Sequence, residues 1–370
     1  MNEVLAEVRG TTGFITLNRP RALNALSLPM IRELTRMLLA WKHDPRVAAI
    51  AIRGTGKEGP FGSFCAGGDI RFFHEAVLAC DPALEDFFTE EYRLNYLIHT
   101  YPKPYVAFLD GIVMGGGMGI TQGASLRVVT ERIRMAMPET AIGLFPDVGG
   151  GHFLSRCPGR LGEYLALTGQ VIGGGDAVAA GLADLLVESR KLPALWEALA
   201  GQDACDELVR LRASVDPAKA AVVAGATLAP HRVQIDAFFG QESVSDIVKG
   251  LEADSDPWAG EVAAVLRTRS PLMLHVVLEQ LRRGRTLSLA ADLRMERDMV
   301  HHCFHLRPGP AGETMEGIRA AVIDKDHRPA WNPARIEDVT PAMVAPFFRS
   351  PWADAVHPLR TLEMLARARR

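Results

Sequence analysis

The first part of the chain alternates short apolar runs with stretches of helical spacing. Residues 4–8 alternate apolar and polar side chains, and a glycine separates them from an apolar segment over 14–17, which predicts an antiparallel hairpin. Apolar positions at helical spacing predict a helix over 28–41. Residues 47–52 form an apolar run that is too short for a helix and rich in β-branched side chains, so they predict a strand buried on both faces.

The same order of elements returns between residues 105 and 137. An apolar run over 105–109 is followed by a glycine-rich turn, by a helix predicted to start at about Gly116, and by strands predicted over 126–129 and 134–137. Up to about residue 190 the pattern repeats as strand, strand, helix. The fold class predicted for this part is α/β, with a parallel sheet and crossover helices.

Beyond about residue 195 the chain shows helical periodicity and no convincing strand. The helices predicted there cover 195–211, 258–267, 271–283 and 287–304. We therefore divide the chain into an α/β core over residues 1–195 and a mostly helical region over residues 196–370.

One predicted helix of the core carries a glutamate on its apolar face. Between residues 84 and 98 the apolar side chains recur at helical spacing, and a rotation of about 100° per residue places Glu91 near the centre of their face and Glu90 at its side. A buried carboxylate needs a partner or a role. Glu91 is therefore a candidate for catalysis or ligand positioning, and a buried ion pair is the alternative.

Two glycine-rich segments, 65–69 and 111–119, follow predicted buried strands. Glycine allows a ligand to approach the backbone closely, and the start of a helix offers N–H donors with partial positive charge. Two such turns facing each other would form an oxyanion hole for a thioester or ester carbonyl, and ordinary tight turns are the alternative. Neither segment has the GxGxxG order, followed by an acidic residue, that is typical of dinucleotide binding.

Residues 137–151 set two carboxylates, Glu139 and Asp147, among apolar side chains, glycines and two prolines. A carboxylate in such surroundings is poorly hydrated, so its pKa can move into the range in which acids and bases act at neutral pH. This segment predicts an enzyme.

Composition and charge narrow the classes of function. The 370 residues are 48% hydrophobic and 23% charged, as in globular proteins generally, and a formal net charge of −3 gives no general attraction to nucleic acid or to an anionic membrane. Five cysteines without CxxC spacing predict no disulfide framework. Since neither a targeting peptide nor a long apolar stretch is recognisable, we expect a cytoplasmic protein.

Histidines near position 300 have a spacing that metal sites also use. His301 and His305 would share one face of a helix, but no further ligand spacing accompanies them. We expect no metal site.

Several segments taken together match a known pattern. They are 18–26 (NRPRALNAL), 64–70 (FCAGGDI), the glycine triplet 115–117, and 139–151. In these segments the chain resembles the enoyl-CoA hydratase/isomerase (crotonase) superfamily. Further segments resemble the branch of that superfamily that hydrolyses β-hydroxyacyl-CoA thioesters, and they lie at 90–92, 138–147, 165–169, 316–320 and 323–326. The resemblance covers nearly the whole chain.

The resemblance implies a crotonase-like spiral of ββα units with a mostly helical C-terminal extension. It implies that acyl-CoA is the substrate, that no separate cofactor is used, and that the N–H groups of Gly68 and Gly116 hold the thioester oxygen. The residues implied to line the acyl pocket are Glu91, Gly116, Glu139 and Asp147, and those implied along the CoA path are Ala22, Ala66 and Ile70.

Departures from the hydratase pattern point to hydrolysis. Hydratases use two glutamates, one at the position of Glu139 and one at the position that is Gly119 here, so this chain lacks half of that acid/base pair. Asp147 stands where hydratases usually carry glycine. We expect hydrolysis of a short β-hydroxyacyl-CoA thioester, such as 3-hydroxyisobutyryl-CoA in valine degradation. Glu139 would act as nucleophile or general base, and Asp147 would orient the substrate hydroxyl or the water.

Two other functions stay open at this point. Some isomerases of the superfamily also place two carboxylates at the positions of Glu139 and Asp147, so an enoyl-CoA or dienoyl-CoA isomerase or hydratase is one alternative. A non-catalytic CoA-binding scaffold is the other. We expect no nucleic-acid or membrane partner. The chain would be a monomer, with its helical half folded over its own core, or a homo-oligomer such as the trimers and hexamers that are common in the superfamily.

Overall fold

A computed structural model describes residues 2–201, 204–214, 226–307 and 309–367. A seven-stranded sheet lies at its centre, in the order β1-β2-β3-β5-β7-β9 with β4 paired to β3, and β6 and β8 form a separate pair. The strands are β1 (Val4–Arg9), β2 (Thr12–Leu17), β3 (Ala49–Gly56), β4 (Gly59–Pro60), β5 (Tyr105–Leu109), β6 (Ile112–Met114), β7 (Leu126–Thr130), β8 (Arg134–Ala136) and β9 (Leu185–Val187).

The pairing confirms the predicted α/β class. β1 and β2 form the predicted antiparallel hairpin, with Val4 opposite Leu17. The pairs β2·β3, β3·β5, β5·β7 and β7·β9 are parallel, so the chain must cross over between them and winds into the expected spiral. β3 begins at Ala49, two residues later than predicted, and continues to Gly56.

Helices fill the crossovers of the first part of the chain. They are α1 (Leu28–His43), α2 (Ile70–Ala79), α3 (Ala83–His99), α4 (Gly116–Gln122), α5 (Gly150–Leu154), α6 (Leu161–Thr168) and α7 (Gly174–Ala179). Local signals set their starts. Ser27 caps α1 by accepting the N–H of Met30. The Asp69 side chain caps α2 by accepting the N–H of Phe72, which fixes where the preceding glycine-rich turn ends and α2 begins.

The second part of the chain is helical in the residues that the structure describes. Its helices are α8 (Leu192–Ala198), α9 (Ala204–Ala213), α10 (Arg232–Phe239), α11 (Val244–Ala253), α12 (Pro257–Thr268), α13 (Pro271–Gly284), α14 (Leu289–His305), α15 (Glu313–Ile318), α16 (Pro341–Val344) and α17 (Leu362–Arg367). A π-helical turn over Arg319–Ile323 continues α15. The single helix predicted over 195–211 is wrong, because α8 and α9 are separate helices. Across the described residues, no helix is long and apolar enough to cross a bilayer.

One apolar cluster joins the two parts of the chain. It includes Ile15 and Ile52 of the sheet, Phe87 of α3, Leu274 of α13 and Val300 of α14. The C-terminal helices therefore pack on the core of their own chain. The division at residue 195 stays a prediction.

Candidate active site

A cleft of about 410 Å³ opens between α2, α3, the two glycine turns and the segment that follows β8. Its lining includes all of the site residues that the resemblance implied, namely Ala22, Ala66, Gly68, Ile70, Glu91, Gly116, Glu139 and Asp147. Phe73, Phe88 and Leu144 supply apolar walls. Residues that are far apart in the sequence thus meet in one place, and their chemical roles stay predictions.

The two glycine turns lie beside each other in the wall of the cleft. A Cβ atom on Gly116 would lie 3.4 Å from the amide nitrogen of Gly68 and 2.5 Å from Oε1 of Glu91, so any side chain at position 116 would displace the Glu91 carboxyl. Within the described part of the chain, neither the Gly68 nor the Gly116 N–H group has a hydrogen-bond acceptor. Two unpaired donors side by side are what an oxyanion hole requires.

Glu139 begins a 3₁₀ turn over Glu139–Ile142, directly after β8, and the N–H of Leu144 donates to its carbonyl oxygen at 3.0 Å. Glu139 is 7% exposed, and its Oε2 has no hydrogen-bond partner among the residues that the structure describes. Burial, together with the nearby charge of Asp147, raises the pKa of Glu139 well above its usual range. The turn therefore presents a poorly hydrated carboxyl with a free oxygen to the cleft.

Asp147 is buried as well, and its carboxyl has a hydrogen-bond partner. The hydroxyl of Tyr92 donates to Oδ2 of Asp147 at 2.8 Å. Burial raises the pKa of Asp147 to about 7, although the Tyr92 hydrogen bond favours the charged form. The next residue, Val148, has a φ of 56°, which is unusual for a β-branched side chain. Such strain persists only where the surroundings enforce it.

Glu91 is buried, as the helical periodicity predicted. Glu91 is 2% exposed, and its Oε1 has no hydrogen-bond partner among the described residues. Glu90 lies at the side of the helix, where its Oε1 accepts a hydrogen bond from Nη2 of Arg32 at 2.7 Å. Among the described residues Glu91 forms no ion pair, so that alternative interpretation is wrong. Burial and the charges of Asp147 and Glu139 raise the pKa of Glu91 well above its usual range. These three carboxyls therefore oppose one another's ionisation.

The position of the second hydratase glutamate has no room for any side chain. A Cβ atom on Gly119 would lie 2.5 Å from Cβ of Val148 and 2.9 Å from Nδ2 of Asn95. The packing of α3 and α4 against the segment that carries Asp147 therefore leaves no space for a glutamate at position 119.

Sequence reasoning missed four buried polar side chains near the cleft, namely Tyr92, Gln280, Asp292 and Glu296. Glu296 of α14 accepts the N–H groups of Gly149 at 2.7 Å and Gly151 at 2.9 Å. A signal was present, because Asp292 and Glu296 are four residues apart on the same helical face as the buried Leu293 and Val300. The helical periodicity that placed Glu91 on a buried face therefore also places Asp292 and Glu296 on one.

The late sequence segment around residue 317 packs directly on the turn that carries Glu139. The Thr314 hydroxyl donates to the carbonyl oxygen of Gly143 at 2.6 Å. A Cβ atom on Gly317 would lie 2.2 Å from the carbonyl carbon of Ile142. The C-terminal region therefore forms part of the support of the cleft.

The histidines near position 300 lie outside this cleft. Nδ1 of His301 and Nε2 of His305 contact Oε1 of Glu85 at 3.2 and 2.7 Å, and this trio is the one group of metal-ligating type found in the described residues. The guanidinium of Arg297 also binds Glu85 and already neutralises its charge. The absence of a metal site stays a prediction.

Known proteins are similar in sequence to this chain over most of its length. The model of the enoyl-CoA hydratase/isomerase family matches residues 12–348. Among curated relatives, the mitochondrial 3-hydroxyisobutyryl-CoA hydrolase of Gallus gallus is 41% identical and that of Homo sapiens is 40% identical, each over 94% of this chain and 89% of the relative.

Solved structures share the fold. A carnitinyl-CoA dehydratase from Mycobacterium thermoresistibile superposes with a TM-score of 0.85 at 38% identity, covering 94% of this chain and 97% of that chain. An enoyl-CoA hydratase from Rhodobacter sphaeroides 2.4.1 gives a TM-score of 0.84 at 38% identity, covering 95% and 98%.

The curated relatives also correct one expectation. The assignment to the cytoplasm rested on the absence of a recognisable targeting segment, and it is contradicted by relatives at 40%, 41% and 43% identity that are named as mitochondrial proteins. The lack of a signal could not locate the protein, because only a signal that is present carries information about a compartment. By its sequence and its fold, the chain belongs to the enoyl-CoA hydratase/isomerase family.

Proposed function

We propose that the protein hydrolyses 3-hydroxyisobutyryl-CoA to 3-hydroxyisobutyrate and CoA, a reaction of valine degradation. The curated relatives are named for this substrate and this kind of reaction. The observation that carries the proposal is the pair of N–H groups on Gly68 and Gly116, which have no acceptor in the described part of the chain and lie in a cleft that also holds Glu139 and Asp147. That set can polarise a thioester carbonyl and direct a carboxylate at it.

In the proposed mechanism the thioester oxygen lies between the N–H groups of Gly68 and Gly116. Glu139 then attacks the carbonyl carbon, CoA leaves as its thiolate, and water cleaves the resulting anhydride. In the alternative route Glu139 removes a proton from the attacking water. The raised pKa of Glu139 makes its ionised form a stronger base than an ordinary carboxylate. Asp147, held by Tyr92, orients the substrate hydroxyl or the water, and Glu91 lines the acyl pocket.

Thiol release tests the proposal. We expect rapid release of CoA, detected with an Ellman-type reagent, from 3-hydroxyisobutyryl-CoA and little release from acetyl-CoA or crotonyl-CoA. Glu139→Gln should lower kcat by about 10²-fold or more, because it removes the group that attacks or accepts the proton. The same assay on Glu279→Gln, an exposed carboxylate of α13, is the control and should match the wild type.

The two other functions give different outcomes in this assay. The solved relatives described as a dehydratase and a hydratase favour chemistry at an enoyl bond as the second candidate. It would appear as a change of enoyl absorbance without thiol release, although the packing around Gly119 leaves no room for the second hydratase glutamate. A CoA-binding scaffold would bind the thioesters and change none of them.

The route through Glu139 can be resolved separately. A single turnover in isotopically labelled water places label in the Glu139 side chain if water opens an anhydride at that carboxyl. Label in Glu139, or a trapped acyl-Glu139, identifies the nucleophile. The absence of both would count against Glu139 as the nucleophile.

A further inference from the structure

The backbone on both sides of Asp147 is held by side chains from the C-terminal helices. Oε2 of Glu296 accepts the N–H of Gly149 at 2.7 Å, and Oε1 accepts the N–H of Gly151 at 2.9 Å. Gln280 of α13 donates to the carbonyl oxygen of Pro146 at 2.7 Å and to Oε1 of Glu296 at 3.1 Å. These bonds fix the residues immediately before and after the Asp147–Val148 pair.

This grip explains the backbone conformation at Val148. A φ of 56° is unfavourable for valine, and it persists because the two neighbouring segments are bonded to rigid helices. The carboxyl of Asp147 is held from the other side by the Tyr92 hydroxyl. Its position in the cleft is therefore determined jointly by α3, α13 and α14.

The burial of Glu296 costs free energy that a purely structural role would not explain. Glu296 is 0% exposed, as is Asp292, which accepts the N–H of His152 at 2.9 Å one turn earlier on α14. No described cation pairs with Glu296, and burial with the charges of Asp292 and Asp147 raises the pKa of Glu296 well above its usual range. A buried carboxyl without a cation costs free energy that apolar packing would not.

We propose that Glu296 is a positioning residue for the hydrolysis: through the N–H groups of Gly149 and Gly151, and with Gln280, it holds the carboxyl of Asp147 in register with the bound acyl group. This inference rests on the proposed hydrolase function. It assigns to α14 a part in the reaction without any contact between Glu296 and the substrate.

Glu296→Gln tests the proposal with little change of shape. The amide can accept only one of the two backbone N–H groups, and its NH₂ group faces the other, so the segment around Asp147 loses one anchor. We expect kcat to fall about tenfold or more while KM stays within about threefold, since the residues implied along the CoA path, Ala22, Ala66 and Ile70, lie outside the segment that Glu296 holds. Glu279→Gln on α13 is the matched control and should keep the wild-type kcat.

A double-mutant cycle distinguishes positioning from a general loss of structure. If Glu296 acts through Asp147, then Asp147→Asn combined with Glu296→Gln should be no slower than Asp147→Asn alone, measured in single turnovers so that low rates remain visible. Losses that multiply in the double variant would overturn the proposal. A wild-type kcat in Glu296→Gln would overturn it as well.

Gln280→Met provides the same test if Glu296→Gln does not fold. It removes the donor to Pro146 and to Glu296 while nearly preserving volume, and it should show the same non-additivity with Asp147→Asn. A wild type that releases no thiol would refute the proposed function and this inference together. Normal wild-type turnover with additive or absent effects of the variants would refute the inference alone.

Discussion

The carboxyl of Asp147 lies where a charge is poorly solvated, and the neighbouring side chains influence its pKa. Tyr92 donates to the carboxyl, while Glu91 and Glu139 place two further acidic groups in the same cleft. Because like charges in a poorly hydrated site raise one another's pKa values, protons are held here at a pH at which exposed carboxyls are ionised. A group that exchanges a proton near neutral pH is suited to acid/base work.

The same burial should make the stability of the protein depend on pH through Asp147. Its pKa is raised to about 7 from 3.8. The folded state therefore binds the proton more tightly than the unfolded state, and this contribution to the free energy of unfolding is full below the unfolded pKa and is lost as the pH rises through the folded pKa. Asp147→Asn is neutral throughout, so its Tm relative to the wild type should be higher at about pH 8 than at about pH 5.

Thermal unfolding of both proteins at the two pH values checks this prediction. Asp254→Asn, at an exposed position, should show no such trend. A Tm difference for Asp147→Asn that is the same at both pH values would contradict the pKa assigned to the buried carboxyl.

Among the elements, the short helix α15 packs directly on the turn over Glu139–Ile142. Their backbones are in direct contact, since Gly317 lacks the Cβ that would meet Ile142, and Thr314 bonds to Gly143. Helices α13 and α14 hold the following segment in the same way. Glu139 and Asp147 therefore lie on loops whose positions are set by helices from the other end of the chain.

Gly317→Ala should separate this contact from ordinary helix propensity. The added Cβ would lie 2.2 Å from the backbone of Ile142, so the turn carrying Glu139 must shift. We expect a loss of about 1–3 kcal/mol in the free energy of unfolding, together with a lower kcat. Gly260→Ala, in α12 with nothing near its Cβ position, should instead gain about 0.5–1 kcal/mol and keep its kcat. Denaturant titrations of both variants decide, and equal effects would contradict the contact.

At the scale of the whole molecule, the apolar core crosses from the sheet into the C-terminal helices. The cluster contains Ile52 and Phe87 of the first part and Leu274 and Val300 of the second. The helical part thus covers the core of its own chain. Light scattering during size-exclusion chromatography measures whether the protein is a monomer, a trimer or a hexamer.

A chain that ends at residue 195 should be inactive. It would keep Glu139 and Asp147 but lose the bonds from Gln280, Glu296 and Thr314, and it would expose the apolar surface that α13 and α14 cover. We expect aggregation on expression, and no thiol release from any soluble fraction. Turnover by the truncated chain would show that the cleft forms without its C-terminal support.

Most elements of the first part of the chain, and much of the cleft, could be predicted from the sequence. Alternation predicted the hairpin, helical periodicity buried Glu91 correctly, and glycine patterns with the family resemblance placed Gly68 and Gly116 in the site, because each of these signals is local or is carried by a motif. The contacts between distant side chains could not be predicted in this way, because they follow from the packing of the folded chain. Gly149 and Glu296 are 147 positions apart, and no local period encodes such a pairing. The hydrogen bond from Tyr92 to Asp147 and the lack of space at Gly119 likewise arise from how packed elements fill the same volume.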